Sequence, residues 1–590
     1  MSTYDNDHLL PSLPVPDLSE TRELAQALIA PLVDAQTLAA TKAAFEAFCA
    51  PGGAGQKLQQ ALERHKAVMP GNASWLRPLW DDMYLSWRGH LPLEMNYFFR
   101  FREERWGGDS ALARLALALA GVCRSLGRQE LPPEPVRKGF AAMDQARSCL
   151  YTRIPGAGVD TLVPVALCAP PKVAVCCKGH WFCVRLTAED ESFVSVKALQ
   201  DALAEIRAQG ESLDKALPVG AMTAALREDA AALRAKLAGT LRNRLSLREL
   251  ENCLFAICLD GPAQDEHSFA GSLLCGDSAN RWFDKSLQLI ASENGFLGAN
   301  FEHAGCDAAI WVYLLGLADE KASREPERAG TGAAAQISTL PFEGTEETTR
   351  ILEAMQADCA RRLQEVRYVC RDVPGLSRPR IKSCKTSPDA FTQIAFQAAQ
   401  FAAFGKLRSS YEAVAVRSFA GGRTECARAS TAGALAVAEL LNKGGSDATL
   451  LRLYREAEAA HVTGLRRCQQ GLGAERHMSG LEAMFRLHGK ALGLGSDVPP
   501  AVFTDPGWRT LKHDALSTSG IGAPCIRFFG FGPVVEDGFG IGYAPGDEGT
   551  GMVVTALAAS GLSPASLLAE VERAAACVEA LLREEEKAGL

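Results

Sequence analysis

The chain has 590 residues, 47% of them hydrophobic and 22% charged, an ordinary balance for a soluble globular protein long enough for two or more complete cores. Its formal net charge of −8 at pH 7 offers no chain-wide basic field to collect nucleic acid or an acidic membrane surface, so neither partner is expected. The 18 cysteines are scattered without CxxC pairs or zinc-finger spacing and read as reduced core thiols.

The start, Met1-Ser-Thr-Tyr-Asp-Asn-Asp7, lacks the basic and apolar regions of a secretory signal and is too acidic for a transit peptide, so a cytoplasmic location is expected. Helical signals dominate up to about residue 80. The most apolar stretch, Ala111 to Val122, is interrupted by Arg114 and falls short of the roughly 20 residues a membrane span requires. Val173-Ala-Val175 and Trp181-Phe-Cys-Val184, separated by Lys178-Gly179-His180, predict a β-hairpin. Cys253 to Leu259 is an apolar run of buried-strand length. The charged, alanine-rich segment Lys321 to Gln336 has no apolar periodicity and marks an internal boundary. A hinge is placed near residue 340, giving an N-terminal α/β domain over 1–340 and a C-terminal one over 341–590. Leu352, Met355, Cys359, Leu363, Val366 and Cys370 recur at helical spacing, and Ser563-Pro564 supplies an N-cap and first-turn proline to a long terminal helix. The last residues, Lys587-Ala-Gly-Leu590, do not fit a peroxisomal tripeptide.

Chemistry concentrates at two places. In Asn300-Phe-Glu-His-Ala-Gly-Cys-Asp307, His303 has the character of a general base, since imidazole titrates near pH 6.5 and takes a proton from a hydroxyl or thiol at neutral pH. Asp307, four positions on, would hold the ring and its tautomer, or else simply start a helix. Cys306 reads as a small apolar residue rather than a nucleophile. The second place is Ser517-Thr-Ser519 with the glycine-rich Phe528 to Gly540, an oxyanion-binding counterpart that together with His303 points to acyl transfer. By residue type alone, Ser-Thr-Ser is a loop or a helix cap.

These stretches do not stand alone. Leu13-Pro-Val-Pro16, Arg88-Gly-His-Leu-Pro-Leu93, Arg153-Ile-Pro-Gly156 with Asp160-Thr161, Cys258-Leu-Asp260, Ala279-Asn-Arg-Trp-Phe-Asp-Lys-Ser286 and Asn294-Gly295 precede Phe301-Glu-His303. Ser387-Pro-Asp-Ala-Phe391, Ser410-Tyr-Glu412, Gly422-Arg-Thr424, Glu475-Arg-His477 and Ser517-Thr-Ser519 follow it. In this order, and over nearly the whole chain, the sequence resembles the carnitine/choline O-acyltransferase family. The resemblance implies an α/β fold of two related domains, each a mixed β-sheet covered by helices (chloramphenicol acetyltransferase-like), with an active-site tunnel where they meet. One domain would supply His303, the other the serines.

What the resemblance implies about activity is a reversible transfer of an acyl group between coenzyme A and the hydroxyl of carnitine. Transfer is direct, without an acyl-enzyme, because a thioester carbon is already electrophilic and both partners are held together. Ser519 matches the oxyanion donor, and Ser517 with Thr518 shapes the substrate pocket. Tyr411, Thr424 and Arg476 match the carnitine-type set, since carnitine has a carboxylate that choline lacks. Phe531 would face the trimethylammonium group or else be a core aromatic. Arg378 and Lys382 match positions that meet the nucleotide phosphates, and Asp389 one near the pantetheine or adenine end. Phe529 occupies the position of the acyl-channel gate and implies short acyl groups, whereas a one-residue shift would bring Gly530 there and reverse that. No metal and no permanently bound cofactor is expected; acyl-CoA is a co-substrate, and the protein is expected to be a monomer. Alternatives are a pantetheine arm on an acyl carrier protein as donor, choline or another amino alcohol as acceptor, and a catalytically silent acyl-CoA or carnitine sensor.

Overall fold

The computed structural model describes residues 2–108, 110–137, 139–167, 169–324, 333–444, 446–495 and 497–588. Of the boundary segment 321–336, residues 325–332 lie outside the described residues. The fold is mixed α/β, with an eight-stranded and a six-stranded sheet and helices packed on each. Two compact units contain them. The first comprises Met1–Asn6, Asp81–Val366 and Ile521–Gly532; the second comprises Asp7–Trp80, Arg367–Gly520 and Pro533–Leu590. Leu340 ends the edge strand of the first unit's sheet.

The first unit's sheet runs Gln336–Leu340, His180–Arg185, Lys172–Cys177, Ala256–Leu259, Leu287–Ala291, Leu297–Phe301, Tyr97–Phe101 and Ile526–Phe531. Its middle is parallel and its flanks antiparallel. Tyr97-Phe-Phe-Arg-Phe101 is buried at every position, so both faces of this strand are covered. Arg100 tolerates that burial because it pairs with Glu103 at 2.8 Å and Glu266 at 3.4 Å and lies 4.9 Å from the Phe296 ring centroid. The hairpin forms where its sequence predicts. Its two-residue turn uses Lys178 and Gly179 at φ 49° and 81°, the twist that closes adjacent strands. The Cys253 to Leu259 run becomes a strand only from Ala256, because Cys253 caps the preceding helix Leu241–Asn252.

The second unit's sheet runs Val366–Val373, Thr550–Leu557, Phe539–Pro545, Leu516–Gly520, Ser410–Ala415 and Thr424–Ala427. Ser517-Thr-Ser519 is therefore neither loop nor cap. It lies in an interior strand with parallel neighbours on both edges, where strand pairing satisfies the backbone and leaves the hydroxyls for other partners. The helical spacing through Leu363 is correct, but Val366 and Cys370 are on a strand. A four-residue interval keeps one face in a strand as well as in a helix, and Val366-Arg-Tyr-Val-Cys-Arg-Asp-Val373 carries the β-favouring residues. The terminal helix Pro564–Ala588 buries Leu568, Val571, Ala575, Val578 and Leu582 in this unit's core, and Ser563 Oγ accepts from Ser566 N at 3.2 Å at its start. Ala111–Gly127 is a buried core helix, and no described helix is long and apolar enough to cross a membrane.

Candidate active site

His303 sits in the turn between the strand Leu297–Phe301 and the helix Ala308–Arg324. Its Nδ1 lies 3.2 Å from the carbonyl oxygen of Cys306. A carbonyl only accepts, so in the neutral ring Nδ1 carries the proton and the basic lone pair belongs to Nε2. The stretch Gln145 to Tyr151 braces the turn. Gln145 Oε1 accepts from Asp307 N at 2.8 Å, and Gln145 Nε2 donates to Asp307 Oδ2 at 3.0 Å. Ser148 Oγ donates to Gly305 O at 3.0 Å, while Tyr151 OH accepts from Gly305 N at 2.9 Å and donates to the Glu302 carboxylate. Gly305 is required there: a Cβ would stand 2.2 Å from Tyr151 Cε1 and 2.7 Å from Ser148 O. Burial, with Glu302 beside it, pushes the Tyr151 phenol well above its usual range, so it remains a donor.

Beneath the turn lies a buried network of opposite charges. Arg153, 0% exposed, reaches Glu302 Oε1 at 2.9 Å and Asp160 Oδ2 at 2.7 Å, and Arg227 reaches Asp160 and Asp284 at 2.7 Å each. Burial alone would raise Asp160, but Arg227 and Arg153 outweigh it and hold its carboxyl below the ordinary value. Asp284 does not gain enough from Arg227, and burial pushes it up to about 6.

The imidazole has aromatic neighbours. Tyr84 and Tyr97 meet it edge-on with centroids 5.3 Å and 5.1 Å away. Tyr97 is opposite Phe301 on one side and Phe531 on the other, and Phe99 is opposite Phe529. Phe529 is 3% exposed and packs on Tyr97 at 5.9 Å, Phe99 at 5.8 Å and Phe531 at 5.6 Å. Gly530, opposite Phe98, belongs to the other face of the sheet, as the two-residue period of a strand demands.

In the second unit Tyr411 pairs with Ser517 across adjacent strands. Arg476 Nη2 donates to Tyr411 OH at 2.8 Å, and its Nε donates to the Thr424 carbonyl at 3.1 Å. The guanidinium lies 4.5 Å from the Trp80 ring centroid, with Glu475 Oε1 3.4 Å from Nη1. Burial pushes the nearby Glu425 carboxyl up to about 7. Thr518 Oγ1 donates to the Tyr411 carbonyl at 2.8 Å and accepts from Gln393 Nε2 at 3.0 Å, so its hydroxyl is committed inward; Ser519, next along the strand, is half-buried. The cluster thus sets a largely buried guanidinium against a phenol hydroxyl and a carboxylate.

Arg378 and Lys382 are exposed and one turn apart on the short helix Arg378–Ser383, whereas Arg380 between them pairs with Glu579 at 2.6 Å. Asp389, in the first turn of the helix Pro388–Phe404, accepts from His461 Nε2 at 3.0 Å, and Glu412 Oε2 lies 3.7 Å from the same nitrogen. Among the described residues these three bring ligating atoms within 4.8 Å of one another, close enough to surround a cation. Burial and the Asp389 charge, however, push Glu412 well above the carboxylate range, so a shared proton meets the same charge.

The structure thus groups His303, Asp307, Phe529, Gly530 and Phe531 in the first unit. Tyr411, Thr424, Arg476, Ser517, Thr518, Ser519, Arg378, Lys382 and Asp389 are in the second. Sequence reasoning overlooked Gln145, Ser148 and Tyr151, because Met143-Asp-Gln-Ala-Arg-Ser-Cys-Leu-Tyr151 has no reactive pattern of its own. It also overlooked Tyr84 and Tyr97, which read as ordinary core aromatics.

The profile of the family described as Choline/Carnitine o-acyltransferase matches residues 13–571. The chain is 28% identical to the putative mitochondrial carnitine O-acetyltransferase of Saccharomyces cerevisiae, over 92% of this chain and 90% of that one. It is 30% identical to the human muscle isoform of carnitine O-palmitoyltransferase 1, over 93% and 73%. Choline O-acetyltransferase of Danio rerio is 28% identical over 91% and 87%. With a match spanning nearly its full length, the chain belongs to the choline/carnitine O-acyltransferase family.

Proposed function

We propose that this protein is a carnitine O-acyltransferase that moves short acyl groups reversibly between coenzyme A and carnitine. Relatives named for carnitine and for choline are equally similar, so the choice of alcohol rests on the residues. The observation that carries it is the Arg476 guanidinium, 12% exposed and 2.8 Å from the Tyr411 hydroxyl. A desolvated cation beside a hydroxyl suits a carboxylate, which carnitine has and choline lacks. The short-chain reading rests on Phe529, whose ring packs among aromatics neighbouring His303 and leaves a long chain no slack.

In this reading His303 Nε2 removes the proton from the carnitine hydroxyl as the oxygen attacks the thioester carbon. The negative oxygen of the tetrahedral intermediate is met by the Ser519 hydroxyl, a donor whose loss costs about 2.7 to 4 kcal/mol in comparable sites. Collapse breaks the carbon–sulfur bond, and the departing thiolate takes the proton from the imidazolium, so coenzyme A leaves as the thiol and the base is restored. Arg378 and Lys382 would meet the nucleotide phosphates, with Asp389 near the pantetheine or adenine end.

The test is thiol release from acetyl-CoA and palmitoyl-CoA with carnitine or choline as acceptor. Carnitine with acetyl-CoA should be the preferred pair. A choline preference removes the acceptor assignment, a palmitoyl preference the short-chain one, and release only from a carrier-protein thioester replaces the donor. Ligand binding without release would mark a sensor.

A further inference from the structure

We infer that Gln145 is a positioning residue for His303 and acts through the peptide joining Cys306 to Asp307. The inference rests on the base role proposed above. One peptide plane carries both halves of the device. Its carbonyl, Cys306 O, accepts from His303 Nδ1 at 3.2 Å, and its N–H, on Asp307, donates to Gln145 Oε1 at 2.8 Å. Because that amide hydrogen can only be donated, the Gln145 oxygen must face it, which turns the Gln145 NH2 toward Asp307 Oδ2 at 3.0 Å. The two contacts fix both the orientation of the peptide and the carboxylate of Asp307.

A peptide whose N–H is engaged is polarised and makes a stronger acceptor at its carbonyl, so the bond that sets the His303 tautomer is strengthened from the far side. Gln145 is fully buried and comes from the short helix Asp144–Arg147, far away in sequence. Ser148 and Tyr151 of the same stretch grip Gly305 at both its carbonyl and its N–H. The turn is therefore held at Gly305 and at Asp307 by this external stretch, and Gln145 is the member bonded to the peptide that carries the imidazole's own acceptor.

Two variants in the full-length protein test this. Gln145→Met keeps the volume and loses both contacts. It is expected to lower kcat about 10 to 100-fold, as a displaced catalytic group does, with KM for carnitine and acetyl-CoA within twofold of wild type. Gln145→Glu retains both contacts only while protonated, its carbonyl oxygen accepting from Asp307 N–H and its hydroxyl donating to Asp307 Oδ2. Its activity should fall with rising pH over the range where wild type gains. A purely structural role would move neither the KM-against-kcat split nor the pH profile. Gln145→Met with wild-type kcat and profile, or Gln145→Glu tracking wild type across pH, overturns the inference.

A second readout needs no substrate. The pH dependence of His303 carbethoxylation by diethyl pyrocarbonate, followed by peptide mass spectrometry, reports the imidazole pKa. It should shift by about half a unit or more in Gln145→Met, and no shift contradicts the inference. A shift in a protein whose wild type transfers no acyl group would instead remove the base role and leave the positioning intact.

Discussion

His303 Nδ1 donates to the Cys306 carbonyl 3.2 Å away, so the main chain of the turn itself selects the tautomer that puts the lone pair on Nε2. Histidine bases are commonly oriented by an acceptor at the other ring nitrogen. Here that acceptor is a backbone atom three residues on, and its geometry is only as good as the turn. Gly305→Ala tests that dependence.

Gly305→Ala forces a methyl group to within 2.2 Å of Tyr151 Cε1. The turn or the Tyr151 ring must move, at a cost of about 1 to 3 kcal/mol in stability. Since Gly305 lies in the chain between His303 and its acceptor Cys306, kcat should fall about 100-fold while KM values stay close to wild type. Steady-state kinetics and thermal unfolding on the same sample check both, and a fully active, less stable variant would separate the turn from the chemistry.

Arg153→Met leaves Glu302 and Asp160 without the guanidinium that pairs both, and all three side chains are 0% exposed. Breaking a buried pair from one side costs about 3 to 5 kcal/mol. Asp160 keeps Arg227 at 2.7 Å and Arg88 at 2.9 Å, so the loss falls chiefly on Glu302, and urea unfolding of the first unit at pH 7 should show it. A loss below about 1 kcal/mol would mean the network is better solvated than its geometry implies.

These residues also show what the sequence made legible. His303, Asp307 and Ser517-Thr-Ser519 stand out as candidates only because they fall in order among the motifs the chain shares with its family. Gln145 and Tyr151 were not, since an amide and a phenol become a splint only when a distant turn folds onto them. The hairpin around Gly179 was readable from its turn chemistry. The strand Val366–Val373 was not, because a four-residue interval between apolar positions fits a helix and a strand equally. Ser517-Thr-Ser519 reads as a cap locally and becomes an interior strand through pairing with residues about a hundred positions earlier, the kind of tertiary context that overrides local preference.

Arg476→Ala should raise KM for carnitine about 10 to 100-fold, the usual value of a hydrogen-bonded charge, and leave KM for choline nearly unchanged. Arg476→Lys should recover little, because one ammonium cannot reach both Tyr411 OH and the Thr424 carbonyl as the guanidinium does. Equal effects on the two alcohols would show that Arg476 supports the fold and not the carboxylate.

His477 gives a stability prediction in the second unit. It is fully buried, with Nδ1 2.7 Å from Thr21 Oγ1 and Nε2 2.7 Å from Gln59 Oε1, so it ties the helices Leu18–Ile29 and Ala54–Ala67 to Ala474–His488. Burial lowers its pKa to about 4, against 6.5 for an ordinary imidazole. Between those values the unfolded chain binds a proton that the native state refuses, so stability rises with pH across that window and is lost as the pH falls through it. The loss approaches about 3 kcal/mol by pH 4. His477→Gln, which cannot titrate, should flatten denaturant midpoints between pH 4 and pH 6.5, and an unchanged slope would assign the acid sensitivity elsewhere.

The base role proposed for His303 is measured by carnitine-dependent thiol release from acetyl-CoA by His303→Ala, compared with wild type at saturating substrates. A fall of about 100 to 10,000-fold in kcat, in a variant that still folds and binds acetyl-CoA, is the predicted result. A variant that keeps wild-type turnover would contradict it.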